Sequence, residues 1–138
     1  MDRKNGVALL VEHANNLRCK NEEVVIEDAD VAMPGGSPEC GGSVVVYLKG
    51  DGNGRIEDLS RTGQGDTISM GATSTVMERI VNGRLTMKEV LGMDYDEFVE
   101  ELGRELIGSQ TRNATLGLST IKAAIRQYRK DRPRSREE

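Results

Sequence analysis

Hydrophobic positions change their period partway along the chain. Between residues 25 and 62 they cluster in short β-branched runs, and from residue 68 onward they recur at three- and four-residue steps. The change falls in residues 63–81, GQGDTISMGATSTVMERIV. Gly63 and Gly65 let the chain swing out of a strand, because glycine reaches backbone conformations closed to other residues. Asp66 then stands where a helix takes its N-cap, with a carboxylate suited to an orphan N–H and to the positive end of the dipole. Ile68, Ala72, Val76 and Ile80, with Thr73 and Met77 beside them, form one apolar face whose glycine and alanine content predicts close packing.

Upstream, VVIEDADVAMPGG predicts a strand over 25–33 that stops at Pro34, Gly35 and Gly36. SVVVYLK predicts a second strand over 43–49, GDGNG a hairpin turn, and 55–62 a third strand. Ile56 and Leu59 share a face of that strand only if a bulge separates them. Val7, Leu10, Val11 and Ala14 predict a short amphipathic helix over 3–17. Downstream, Gly83 is expected to stop the central helix and Thr86 to cap a helix of one or two turns. Tyr95, Phe98, Val99, Leu102 and Leu106 predict a helix over 94–107, capped by Asp94 and closed by Gly108. Ala114, Leu118, Ile121, Ile125 and Tyr128 give the last helix, with Asn113 as its expected cap. Strands followed by helices imply an α+β fold, a small three-stranded antiparallel sheet packed on a helical layer. Residues 1–131 form one domain in this reading, and 132–138 a charged, disordered tail.

Composition narrows the function. At 138 residues and 36% hydrophobic content the chain can bury a core without disulfides or metal. Three Tyr, one Phe and no Trp leave that core to Val, Ile, Leu, Met and Ala, and argue against stacking on nucleic-acid bases. A net charge of −4 points the same way, since phosphate-binding surfaces carry a surplus of Lys and Arg. No apolar run is long enough to span a membrane, and the first residues are too polar for a secretory signal, so the expected compartment is the cytoplasm. The two cysteines, Cys19 and Cys40, are expected as thiols rather than as a staple. Cys40 lies on a loop between Pro38 and two glycines, a setting for an accessible, reactive thiol, whereas Cys19 sits in a polar stretch. His13 is the one histidine, and no grouping of nucleophile, base and orienting residue stands out, so no enzyme is expected.

Five stretches together carry a resemblance. HANNLR is similar to H-x-E-N-P-R-N, and SPECGG before a β-rich strand to N-P-x-C-G-D. IEDLSRTGQGDTIS is similar to I-E-D-x-x-F-x-G-x-G-C-x-I-S, VNGRLTMKEV to V-x-G-K-S-L-x-E-A, and TRNATLGLSTIKAAIRQYRKDR to a last helix that follows a third cysteine. In this arrangement, over residues 7–132, the chain resembles the iron-sulfur cluster assembly scaffolds of the IscU and NifU N-terminal type. The resemblance implies a three-stranded sheet on helices. It also implies a site at one end where three cysteines and an aspartate hold a nascent [2Fe-2S] cluster, iron or zinc. Carried over by position, Cys40 keeps the first cysteine, Gly42 stands in place of the aspartate, Asp66 of the second cysteine and Asn113 of the third. Arg112 stands where some members have histidine.

Iron-sulfur clusters favour thiolates, and a neutral amide is a poor ligand, so Cys40 and Asp66 are the candidate ligands that remain. Asp and Asn are also good N-caps, which explains both replacements without any metal. Two functions follow. In one, the chain is a scaffold-type protein of iron-sulfur or sulfur trafficking, with Cys40 accepting persulfide sulfur from a cysteine desulfurase or sharing a metal across a homodimer, before delivery to an acceptor protein. In the other, it is a paralogue that keeps the fold as a protein-binding module without a cluster.

Overall fold

The computed structural model describes residues 25–37 and 42–131. The helix expected over 3–17, His13, Cys19, Cys40 and the tail 132–138 lie outside them. Three strands, β1 (Val31–Ser37), β2 (Gly42–Gly50) and β3 (Ile56–Gly65), form an antiparallel sheet in the order β1-β2-β3. Five helices follow: α1 (Thr67–Gly83), α2 (Met87–Leu91), α3 (Tyr95–Leu102), α4 (Arg104–Ile107) and α5 (Thr111–Asp131).

Side chains alternate across the central strand. Val44, Val46 and Leu48 are buried beneath the helices, while Val45 and Tyr47 between them are half-buried on the other face. α1 and α5 pack against each other and onto this sheet. Ala72, Val76, Met77 and Ile80 of α1 meet Leu118, Ile121, Ala124, Ile125 and Tyr128 of α5 in the core, with Met87, Val90, Phe98 and Val99 from the shorter helices. The close approach expected of the small-residue face is present: a Cβ at Gly117 of α5 would lie 2.5 Å from Thr73 Oγ1 of α1.

Local signals mark the element boundaries. Asp66 caps α1, its Oδ1 accepting from Ser69 N at 2.7 Å. Thr86 and Glu89 form a capping box on α2, and Asp94 Oδ1 accepts from Asp96 N and Glu97 N at the start of α3. In the β2–β3 hairpin Asp51 Oδ1 accepts from Asn53 N at 2.7 Å and Arg55 N at 3.1 Å, with Gly52 and Gly54 at positive φ. The bulge is there too, at Glu57, between the pairs Lys49–Asp58 and Gly50–Ile56. It lets Ile56 pack against the core that buries Leu59.

Elsewhere the elements differ from expectation. β1 runs through Pro34, Gly35 and Gly36 instead of stopping there, and 25–30 is not strand. β1 is an edge strand, where a residue without N–H is tolerated, and a Cβ at Gly35 would fall 2.0 Å from Thr120 Oγ1, so glycine lets the strand press on α5. β3 likewise continues to Gly65, leaving Asp66 alone as the link into α1. Gly63 is needed for contact more than for a turn: its Cβ would collide with Ser43 O at 2.3 Å and Val44 Cα at 2.7 Å. The helix expected over 94–107 is two, broken at Gly103 (φ 106°, ψ 101°), and Ile107 rather than Leu106 becomes the buried residue after the break. α1 ends on Arg84 in the left-handed region (φ 51°), with Gly83 still helical.

Candidate functional site

The start of β2, the end of β3 and the beginnings of α1 and α5 meet at one end of the sheet. Antiparallel pairing sets Gly42 opposite Gly65, which delivers Asp66 beside the first residue of β2. From the third residue of α5, Asn113 Nδ2 donates to Asp66 Oδ2 at 3.0 Å and lies 3.4 Å from Gln110 Oε1. Asn113 is therefore not the cap expected of it. α5 begins two residues earlier, at Thr111, which frees the amide to reach across to a residue 47 positions away in sequence.

Of the residues singled out from the sequence, Gly42, Asp66 and Asn113 are brought together, and Arg112 is exposed on the same turn as Asn113. Two neighbours carried no sequence signal. Ser69 is fully buried, its Cβ is 3.3 Å from where a Cβ on Gly42 would stand, and its Oγ has no hydrogen-bond partner among the described residues. Gln110 precedes α5 and contributes only through the turn that brings it near Asn113. Both depend on how elements pack, not on spacing along the chain.

The chemistry on offer is one carboxylate, one neutral amide and a glycine. Asp66 spends one oxygen on the helix N-terminus and the other on Asn113. Among the described residues no group of three or more His, Cys, Asp or Glu gathers to hold a metal. These three positions do not fit an iron-sulfur cluster, whose irons take thiolates.

A separate polar cluster ties the α2–α3 loop to α5. Lys122 is 5% exposed, its Nζ donates to the Met93 carbonyl and sits 4.2 Å from the centroid of the Tyr95 ring. Burial, and then Arg126, push its pKa below the usual lysine range, against a smaller opposing pull from Asp94. With the carbonyl and the ring both engaged, this ammonium acts as a fastener. No helix among the described residues is long and apolar enough to cross a membrane.

Residues 11–135 match the sequence model of the family described as NifU-like N terminal domain. An iron-sulfur cluster assembly scaffold protein IscU of Thermotoga maritima is 26% identical over 113 residues, which cover 82% of this chain and 75% of that protein. A protein of the same name from Aquifex aeolicus is 32% identical over 107 residues, 75% of this chain and 65% of that one, just under two thirds of its length. Among solved structures, a nitrogen-fixing NifU-like N-terminal protein from Brucella abortus superposes with a TM-score of 0.72 at 17% identity, covering 94% of this chain and 99% of that one. A putative SUF-system scaffold from Fervidobacterium islandicum gives 0.64 at 20% identity, covering 85% and 93%. The two structures speak for the fold, a three-stranded antiparallel sheet under helices. The family pattern, running through nearly all of the chain including the three positions that meet at the end of the sheet, places this protein in the NifU-like N-terminal domain family.

Proposed function

We propose that this chain serves iron-sulfur cluster assembly as a scaffold-type protein, and that Cys40 is the thiol through which it takes up sulfur or binds iron. The observation that carries the reading is the meeting of Gly42, Asp66 and Asn113 at one end of the sheet, where the family resemblance puts the site. Cys40 is two residues from Gly42 in sequence and keeps the Pro-x-Cys-Gly context. The names of the curated relatives favour this role over that of a binding module.

In this reading the donor is a cysteine desulfurase carrying a persulfide. The Cys40 thiolate attacks the outer sulfur, the donor's S–S bond breaks, and the donor cysteine leaves as thiolate while Cys40 becomes the persulfide. The sulfur, with iron where it joins, passes on to an acceptor protein. The chain is then a carrier working in the cytoplasm, not an enzyme.

The test is direct. The protein is incubated without air with a cysteine desulfurase, cysteine and ferrous iron, and the Cys40 peptide is weighed by mass spectrometry alongside iron and sulfide analysis. One added sulfur on Cys40, absent in Cys40→Ala, is expected. A product with neither sulfur on Cys40 nor retained iron and sulfide sinks the proposal.

A further inference from the structure

Positions 42, 66 and 113 disagree with a cluster, and the way they disagree has a direction. We infer that Asp66 and Asn113 form a metal-independent latch fixing the start of α1 to the start of α5, and that one protomer holds no cluster or zinc through these positions. This deepens the assembly reading, on which it rests for the expectation that a cluster would sit here.

Three observations carry it. Asp66 Oδ1 is engaged by Ser69 N at 2.7 Å and Oδ2 by Asn113 Nδ2 at 3.0 Å. The amide turns its positive N–H₂ end to Asp66 Oδ2, the opposite of the oxygen end it would present to a metal. Flipping it would set oxygen against oxygen, so this orientation alone gives a bond. Gly42, where the resemblance expects an aspartate, offers a side chain only a tight fit, which its neighbours would have to widen by a few tenths of an ångström. A Cβ there would lie 3.2 Å from Gly65 Cα, 3.3 Å from Gln64 O and 3.3 Å from Ser69 Cβ. Two of those are backbone atoms of the paired strand, which cannot rotate aside as a flexible side chain can.

A shared metal joins two elements by being bound to both. Here the same two elements are joined by a carboxylate–amide hydrogen bond, which needs no metal and is indifferent to redox state.

The experiment uses the full chain, purified without air from iron-supplemented cells, with zinc, iron and labile sulfide measured per protomer. Melting is followed with and without zinc and with a chelator, for wild type, Asp66→Ala, Asp66→Asn, Asn113→Ala and the Asp66→Ala/Asn113→Ala pair. Metal content that Asp66→Ala leaves unchanged is expected, with a midpoint gap between wild type and Asp66→Ala that neither zinc nor chelator moves. Asn113→Ala should lower the midpoint in the wild-type background and have no effect in the Asp66→Ala background, because its partner is already gone. Asp66→Asn keeps the helix cap and should melt above Asp66→Ala. About one zinc or cluster per protomer, lost in Asp66→Ala, would overturn the inference. Bound metal at a hundredfold excess over Kd would show itself as a midpoint rise of roughly 10 °C. Asn113→Ala without effect in wild type would overturn the latch. A product with neither sulfur on Cys40 nor retained iron and sulfide in the preceding assay defeats the assembly reading and leaves these outcomes unchanged, so the two failures are told apart.

Discussion

Replacing Gly117 by alanine tests the packing that holds the site together. Two effects oppose each other. Alanine in a helix interior is worth about 1 kcal/mol over glycine, and Gly117 is the seventh residue of the 21 in α5, so the local preference favours the substitution. Against it, the new Cβ would stand 2.5 Å from Thr73 Oγ1, 2.7 Å from Cγ2 and 2.8 Å from Cβ. Ordinary carbon contacts are about 3.5–4.0 Å. Rotating Thr73 about χ1 moves only the first two atoms, and it would also break the bond from Oγ1 to the Ser69 carbonyl at 2.7 Å. No rotamer relieves the third contact, so the helices must separate by roughly 1 Å, loosening the contacts of Leu118 and Ile121. Overpacking of that kind costs about 1–3 kcal/mol, and with no side-chain escape the upper end applies. The net expectation is a loss of about 2 kcal/mol, or roughly 8 °C in Tm for a domain of this size. Thermal melting by circular dichroism measures it. Thr73→Ala in the Gly117→Ala background should restore part of the loss and not all, because the Cβ–Cβ contact survives. A single Gly117→Ala variant that melts at or above wild type would refute the reasoning, since propensity would then have outweighed the collision. Gly117 is about one turn beyond Asn113, so the same wedge should also weaken the Asp66–Asn113 bond.

Two further outcomes follow from other parts of the fold. Gly63→Ala sets a Cβ against Ser43 O and Val44 Cα, both backbone, at a φ of +147° that side chains rarely adopt. It should cost more than Gly117→Ala and disrupt the β2–β3 ladder, seen as lost amide-exchange protection in Val44 and Val46; full protection would count against the structure at this point. The hydrogen bonds Glu89 makes with the Thr86 backbone N–H and side chain hold its pKa below the ordinary glutamate range. A lowered folded-state pKa means that its contribution is present above the unfolded value and fades as pH falls through the folded one. The Tm gap between wild type and Glu89→Ala should therefore narrow between about pH 5 and about pH 3. A gap constant across that range would show that the capping box contributes nothing that depends on charge.

Cap and turn chemistry was legible without coordinates because it is local. Asp66, Thr86 and Asp94 each bond a backbone N–H two or three residues ahead, and Asp51 closes its turn within four residues. The apolar periods of α1 and α5, the bulge demanded by Ile56 and Leu59, and the family pattern were readable for the same reason, since each lies in the order of residues. Tertiary structure decided whatever depends on who lies alongside. Pro34 and Gly35 look like a stop until their strand is found at an edge and against α5, where a missing amide is tolerated and a missing Cβ is required. Gly103 breaks a helix whose apolar spacing continues through it. Asn113 has the composition of a cap, yet it serves as a cross-link because α5 starts earlier and packs close enough for its amide to reach Asp66. The sequence by itself determined which residues stand at the site. That a carboxylate and an amide there satisfy each other is a property of two helix starts brought within hydrogen-bond distance, which no spacing along the chain encodes.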